Sequence, residues 1–477
     1  MIRASVRPAF ALARGKAALH RQIYDHFRTA ITNGQLRPGD RLPSARGLAQ
    51  QLTVARGTVD TAYAMLAGEG YIVSRRALGT AVSPALPSPA MGASGERRSA
   101  PAARHETRGE PRPFQLGLPA LDAFPRKLWS RLAARQARAL SAADMAYPDP
   151  AGYWPLREAI AAYLAVARGI ICNARQVVIT RGYQGALDLI IRTLLRRNDR
   201  VWLEDPCYHL ARAAFEASGT TFVLIPVDAE GLRVSDGIAC ARRARLAVVT
   251  PSHQSPLGVA LSLPRRLELL AWACETRAFV VEDDYDGEFH YAGRALPALK
   301  SLDHNDRVLY AGSLSKVLFP GLRLGYLVLP EELLGDFAGA MRTGNAGAPS
   351  FEQRVVTAFM AEGHFARHLK RMRGLYASRR LALAQALTAV FGDRVTVDLQ
   401  PGGMHLIIRW GRRPGDAGVA QKARAAGLAV EALSSRVIRH RCGDGLLLGF
   451  TNVAEADALS LCRRLERAIG ENLRTAS

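Results

Sequence analysis

Residues 84–113, PALPSPAMGASGERRSAPAARHETRGEPRP, hold six prolines and three glycines and hardly an aliphatic side chain beyond alanine. Such a stretch cannot bury enough apolar surface to offset the entropy of ordering it, so it reads as a flexible linker. The chain must then fold in two pieces, a short unit over 14–83 and a long one over 114–477. Each is long enough for a hydrophobic core of its own, and a hydrophobic content of 48% fits a globular protein.

The two pieces differ in charge. Residues 1–83 carry 12 Arg and Lys against 4 Asp and Glu, whereas residues 114–477 carry 47 against 35. The short piece therefore holds the denser share of the net +22, which points to a polyanionic partner. Apolar runs such as LAVVT (246–250) and FVVED (279–283) are too short to cross a bilayer. The basic N-terminus lacks the apolar core of a signal peptide, so a cytoplasmic protein is expected. Six scattered cysteines, without a CxxC pair or a histidine cluster, argue for reduced thiols rather than a disulfide frame or a metal site.

In the short piece, LHRQIYDHFRTAITNG (19–34) places Leu19, Ile23, Phe27 and Ile31 on one helical face, with Asn33-Gly34 as the stop. Pro43 and Ser44 open a second helix, SARGLAQQL (44–52). A third, RGTVDTAYAMLAGEG (56–70), turns Val59, Ala62, Tyr63 and Leu66 inward, and YIVSRRALGTAVS (71–83) supplies two short strands. Helix, turn, helix and hairpin make a winged helix-turn-helix. LPSARGLAQQLTVARGTVDTAYAMLAGEGYI resembles the DNA-binding domain of GntR-type bacterial regulators. The resemblance implies double-stranded promoter DNA as partner, with Arg41 and Ser44 near phosphates and Arg46 opening the second helix. It sets Arg56 and Thr58 at the start of the recognition helix, and Arg75 and the Gly79-Thr80 turn in the wing. Ala55 stands where the family usually has a capping serine, a loss of about 1 kcal/mol.

The long piece alternates continuous apolar strands (QVVIT, RVWLED, RLAVVT, AFVVED, RVLYAGS, LGYLVL) with amphipathic helices, the pattern of an α/β fold with a mostly parallel, doubly covered sheet. Only six of the 64 basic residues are lysines, so a lysine in a chemically suggestive place carries extra weight. Lys316, in YAGSLSKVLFPGLRLGY, has hydroxyls beside it at Ser313 and Ser315 and a permanent charge at Arg323. A lysine can bind an aldehyde covalently, and the hydroxyls and arginine can hold a phosphate, which together suggest pyridoxal 5'-phosphate (PLP). Its ring nitrogen needs a buried acid, and Asp283 or Asp284 ends the strand FVVEDD (279–284) where open α/β sheets bind ligands. Trp154 and Trp202 are expected in the core, and His290 in a structural role.

From about 114 to 470 the chain resembles fold-type I aminotransferases, through DPAGYWPLREAIAAYLAVARGI, VVITRGYQGALDLI, VWLEDPCYHLAR, TPSHQSPLG, VVEDDYDGEF and SLSKVLFPGLRLGY. Joined to the GntR-type head, this resembles the MocR family of chimeric regulators. The resemblance implies that Lys316 holds PLP as an internal aldimine, that Asp283 pairs with the ring nitrogen, and that Tyr285 bonds the ring O3′. It puts Tyr208 on the ring face and His253 in a ring-contacting loop. The phosphate would take backbone N–H groups of the Gly182-Tyr183-Gln184 turn, with Ser313, Ser315 and Arg323. Tyr147 would reach the phosphate of the other subunit of a homodimer.

Leu447 and Leu210 occupy positions where relatives place carboxylate-binding arginines, so the usual clamp is missing unless Arg212, Arg436 or Arg439 substitutes. The expected protein is a PLP-dependent transcriptional regulator. Its signal is either PLP itself or a small amine or amino acid that displaces Lys316 in an external aldimine. The alternatives are a working aminotransferase with an appended DNA-binding head, and a regulator whose Lys316 is vestigial.

Overall fold

The computed structural model describes residues 12, 18–75, 79–86, 110–293, 297–344, 347–411 and 415–474. The chain divides into two compact units, 1–107 and 108–477. Most of the stretch read as a linker lies outside the described residues, as do wing residues 76–78.

In the first unit, α1 (Leu19–Thr32) buries Ile23, Phe27 and Ile31 along one face, while Leu19 at its open end is half-buried. Ser44 accepts the Gly47 N–H at 3.1 Å and so caps α2 (Ala45–Leu52). Helix α3 (Arg56–Gly68) starts at Ala55 without a side-chain cap and buries Val59, Ala62, Tyr63 and Leu66. Strands β1 (Ile72–Arg75) and β2 (Gly79–Val82) pair antiparallel, with Arg75 opposite Gly79. Two tyrosines tie the helices to the connecting turns: Tyr63 donates to the Pro43 carbonyl at 2.9 Å and Tyr24 to Glu69 at 2.6 Å.

The second unit opens with α4 (Arg126–Arg138) and α5 (Trp154–Ala167). Strands and helices then alternate: β3 (Val177–Thr180), α6 (Gly182–Leu194), β4 (Arg200–Asp205), α7 (His209–Ser218), β5 (Thr221–Asp228), β6 (Gly231–Leu232), α8 (Val234–Ala241), β7 (Leu246–Val249), α9 (Leu263–Thr276), β8 (Phe279–Asp284), β9 (Val308–Ser313) and β10 (Gly325–Val328). They build one sheet in the order β3-β10-β9-β8-β7-β4-β5-β6. Strands β5, β4, β7, β8 and β9 run parallel, and β10 lies antiparallel between β9 and β3. Alternate side chains feed two cores. Val201, Leu203 and Val281 meet α6 and α7, whereas Trp202 and Val280 meet α8 and α9. Trp202 is fully buried and stacks on Trp272 at 3.8 Å. Trp154 is not a core residue. It opens α5 on the surface, 44% exposed, with the Arg157 guanidinium 4.9 Å over its ring.

Helices α10 (Leu334–Thr343), α11 (Ser350–Ala361) and α12 (His364–Phe391) lead to a smaller sheet. Its strands are β11 (Thr396–Asp398), β12 (His405–Arg409), β13 (Glu431–Ala432) and β14 (Gly445–Gly449), packed with α13 (Asp416–Ala425) and α14 (Ala458–Arg474). The order is β11-β12-β14-β13, antiparallel throughout. No helix among the described residues is long and apolar enough to cross a membrane.

Candidate functional site

The carboxyl ends of β4, β8 and β9 and the edge of the smaller sheet converge on a cavity of about 240 Å³. Tyr208, Asp283, Tyr285, Ser313 and Lys316 come from the large sheet's loops and strand ends, and Tyr183 from the start of α6. Such a crevice beyond the carboxyl ends of parallel strands is where this architecture places ligands.

Lys316 follows β9, and its amine donates to the Gly117 carbonyl at 2.9 Å. Gly117 has φ +70°, a left-handed backbone that favours glycine, and a Cβ there would meet the Lys316 amine, the movable end of that side chain. Burial pushes the amine's pKa below the ordinary lysine value, against the attraction of Asp286 and Asp283. The shift favours the neutral amine, the form that attacks carbonyls, relative to an exposed lysine.

Two adjacent acids end β8 and point to opposite faces. Asp283 lines the cavity and makes no ion pair among the described residues; burial holds its pKa well above the usual carboxylate range. Asp284 faces away. It pairs with Arg168 at 2.6 Å and accepts the Tyr310 hydroxyl at 2.6 Å and the Gly287 N–H at 3.1 Å. The strand's alternation thus leaves one acid satisfied and one facing empty space. The hydroxyls of Tyr183 and Tyr285 are both buried and cavity-lining, near Asp283 and Ser255, and neither makes a well-formed hydrogen bond among the described residues.

The other expected residues lie around or beyond this lining. Gly182, with φ +69°, starts α6, and Gln184 in its first turn accepts from Arg323 at 3.3 Å. Arg323 itself is left-handed, φ +51°, at the end of the single turn Pro320–Leu322. Ser315 is half-buried next to Lys316, outside the lining. His253 is also outside it: its ring bonds Asp286 at 2.9 Å and stacks on His290. Tyr147 is fully exposed and is not among the residues that line this cavity.

Several lining residues were not singled out in the sequence, although Ser255 lies in the TPSHQSPLG segment. Gly117, Ser255, His405 and Glu431 are drawn from four distant segments. His405 donates to the Pro256 carbonyl at 2.7 Å. Leu447 lines the cavity, and of the three substitute arginines only Arg436 does. Arg212 instead pairs with Glu216 at 3.5 Å, and Arg439 is exposed.

On the first unit, Arg46, Ala49, Gln50, Thr53, Val54 and Arg56 border a recess at the α2–α3 turn. Arg41, Arg46 and Arg56 are exposed, Thr58 is half-buried, and Arg56 carries only a 3.4 Å contact with exposed Asp60. Ser44 is occupied as the α2 cap. Gly79 stands at φ +79° where the chain re-enters the hairpin.

The first unit matches the gntR family of bacterial regulatory proteins over residues 19–82, and the second matches aminotransferase class I and II over 125–440. The chain is 35% identical over 448 residues to the "Probable rhizopine catabolism regulatory protein MocR" of Rhizobium meliloti, covering 91% of this chain and 90% of that one. It is 32% identical over 440 residues to the HTH-type pyridoxine biosynthesis transcriptional regulator PdxR of Corynebacterium glutamicum, covering 90% and 91%. Among solved structures, an α-aminoadipate aminotransferase of Thermus thermophilus, LysN, complexed with N-(5'-phosphopyridoxyl)-L-leucine, matches at 30% identity. The TM-score is 0.69, over 76% of this chain and 92% of that one. The chain belongs to the GntR family of bacterial transcriptional regulators, in the MocR-type branch that joins a helix-turn-helix domain to an aminotransferase-like domain.

Proposed function

We propose that this regulator binds promoter DNA through residues 14–83 and senses a small molecule with PLP held on Lys316 in residues 114–477, the two parts joined by residues 84–113. The observation that carries the reading is a single cavity that gathers a lysine amine whose pKa burial lowers, a buried acid with no ion-pairing cation among the described residues, and two buried tyrosine hydroxyls. A ring with a protonated nitrogen, a phenolic oxygen and an aldehyde answers all three. Kinship with an aminotransferase solved with a phosphopyridoxyl adduct supports the same cofactor.

In this reading Lys316 forms the covalent attachment, Asp283 balances the ring nitrogen's charge, Tyr285 bonds the ring oxygen and Tyr208 covers the ring face. Backbone N–H groups at Gly182, Tyr183 and Gln184, with Ser313, Ser315 and Arg323, hold the phosphate. Tyr147, fully exposed on its own chain, serves the neighbouring copy of a homodimer. PLP, when bound, supplies a carbonyl that reacts reversibly with primary amines. The protein's part is to orient that carbonyl, exclude water and keep the Lys316 amine available. Arg41, Arg46, Arg56, Thr58, Arg75 and Gly79 contact the DNA. A ligand regulates only if it binds one arrangement of the two units better than another.

The test is selection of duplexes from a random pool by the full chain, followed by affinity measurement with and without PLP. Bound duplexes whose affinity changes when PLP or an amine is added, and falls steeply with salt, are expected. Turnover of an amino acid with a keto acid at ordinary aminotransferase rates, with DNA affinity indifferent to every amine, would reverse the reading.

A further inference from the structure

We propose that Arg436 is the ligand-recognition residue of this regulator, and that its ligand is an amino acid whose carboxylate takes the place of Glu431 on the Arg436 guanidinium. The inference rests on the reading that PLP on Lys316 meets a primary amine in this cavity.

Arg436 and Lys316 are the cations of the cavity lining. The rest is largely apolar or neutral: Leu116, Met404, Pro256 and Leu447 would leave a carboxylate unsolvated. Leu447 sits on β14 directly opposite Glu431 on β13, so with His405 on β12 the smaller sheet presents a leucine, an acid and an imidazole here, and no arginine or lysine. A ligand that offers its amine to the Lys316 end has one cation left for its carboxylate.

Arg436 is held ready. Asp205, at the end of β4, accepts the backbone N–H groups of Ile438, Arg439 and His440 at 2.8, 2.7 and 2.7 Å. Cys207 N–H donates to the Arg436 carbonyl at 3.2 Å, so the segment is pinned to the loop that carries Tyr208. The guanidinium lies 6.0 Å from the Tyr208 ring centre. It bonds the Glu431 carboxylate on one side and His209 Nδ1 on the other. The guanidinium can only donate, so His209 Nδ1 accepts there, and burial and Arg436 both lower the His209 pKa.

Glu431 is the displaceable partner. The Arg436 side chain is 10% exposed and the Glu431 side chain 38%. Without any acid the buried guanidinium would be unpaired, a costly state. Exchange of one carboxylate for another keeps it paired while Glu431, already near water, turns outward. The pair thus acts as a stored charge that a ligand carboxylate can replace, at no change in the cavity's charge balance apart from the released acid.

The full chain reconstituted with PLP is titrated with the twenty standard L-amino acids, each beside its α-carboxamide, and the visible absorption of bound PLP is followed. At least one amino acid should shift the band, with its carboxamide about tenfold weaker or more. Arg436→Leu should keep the band and the melting temperature while erasing that preference. Glu431→Gln, which removes the competing acid, should tighten the same amino acid by about threefold or more. A band that no amino acid shifts, carboxamides that bind as well, a preference that survives Arg436→Leu, or unchanged affinity in Glu431→Gln overturns this inference and leaves the cofactor assignment standing. A wild-type chain that forms no visible band overturns both.

Discussion

At the scale of residues, Asp283 and Asp284 show how strand alternation separates function from structure. Asp284 is spent on Arg168, Tyr310 and Gly287, so Asp284→Asn strands a buried guanidinium and should cost on the order of 3–5 kcal/mol. Asp283→Asn should do the reverse in the cofactor-free protein. Burial raises the folded-state pKa of this acid, so its contribution to stability is full below the unfolded value and is lost as pH rises through the folded one. At neutral pH the neutral amide avoids that loss, and melting should rise by roughly 2–4 °C while PLP retention falls. Thermal melts and dialysis against PLP-free buffer check both; a destabilised Asp283→Asn would contradict the assignment. The sequence left the choice between these acids open because adjacent strand residues are told apart only by which face the fold covers. Gly117 was illegible for a related reason: only the fold brings its carbonyl to the Lys316 amine, across 199 residues of chain.

At the scale of elements, the helices of the first unit were legible because three short amphipathic runs with turn residues between them leave little choice. The Ala55 start of α3 is an uncapped helix end bearing Arg56, exposed and only loosely held by Asp60. Arg56→Ala should weaken binding to a selected duplex by about tenfold, on the order of 1–3 kcal/mol, with the visible spectrum of bound PLP unchanged. Equal affinity in a gel-shift titration would move the recognition surface elsewhere. In the second unit the alternation of apolar strands and helices was plain, but the reversed direction of β10 was not. A buried strand carries the same apolar run in either direction, and only its neighbours β9 and β3 define its sense. Trp154 misled because a tryptophan in an apolar helix reads as core, whereas the first position of α5 leaves it at the surface with Arg157 over its ring.

At the scale of the whole molecule, the second unit buries acids whose protons make its stability depend on pH. Glu204 is wholly inside, bonded by the Thr250 N–H at 3.2 Å and by Gln254 at 3.2 Å, and burial pushes its pKa to about 7. The folded chain keeps that proton over a range in which the unfolded chain releases it. Its stability contribution is therefore complete below the unfolded value of 4.5 and lost as pH rises through about 7. The cofactor-free chain should melt at progressively lower temperature across that window, and Glu204→Gln should flatten the slope; a slope unchanged in the variant would assign it to other groups. All these statements turn on one covalent assignment, and with six lysines in the chain it can be read directly. The 477-residue chain is mixed with PLP, reduced with borohydride so that the lysine–cofactor bond becomes permanent, and its peptides are mapped by mass spectrometry. One phosphopyridoxyl group on Lys316, absent from Lys316→Ala, is the predicted result; an adduct spread over Lys16, Lys127, Lys300, Lys370 or Lys422, or none at all, would contradict it.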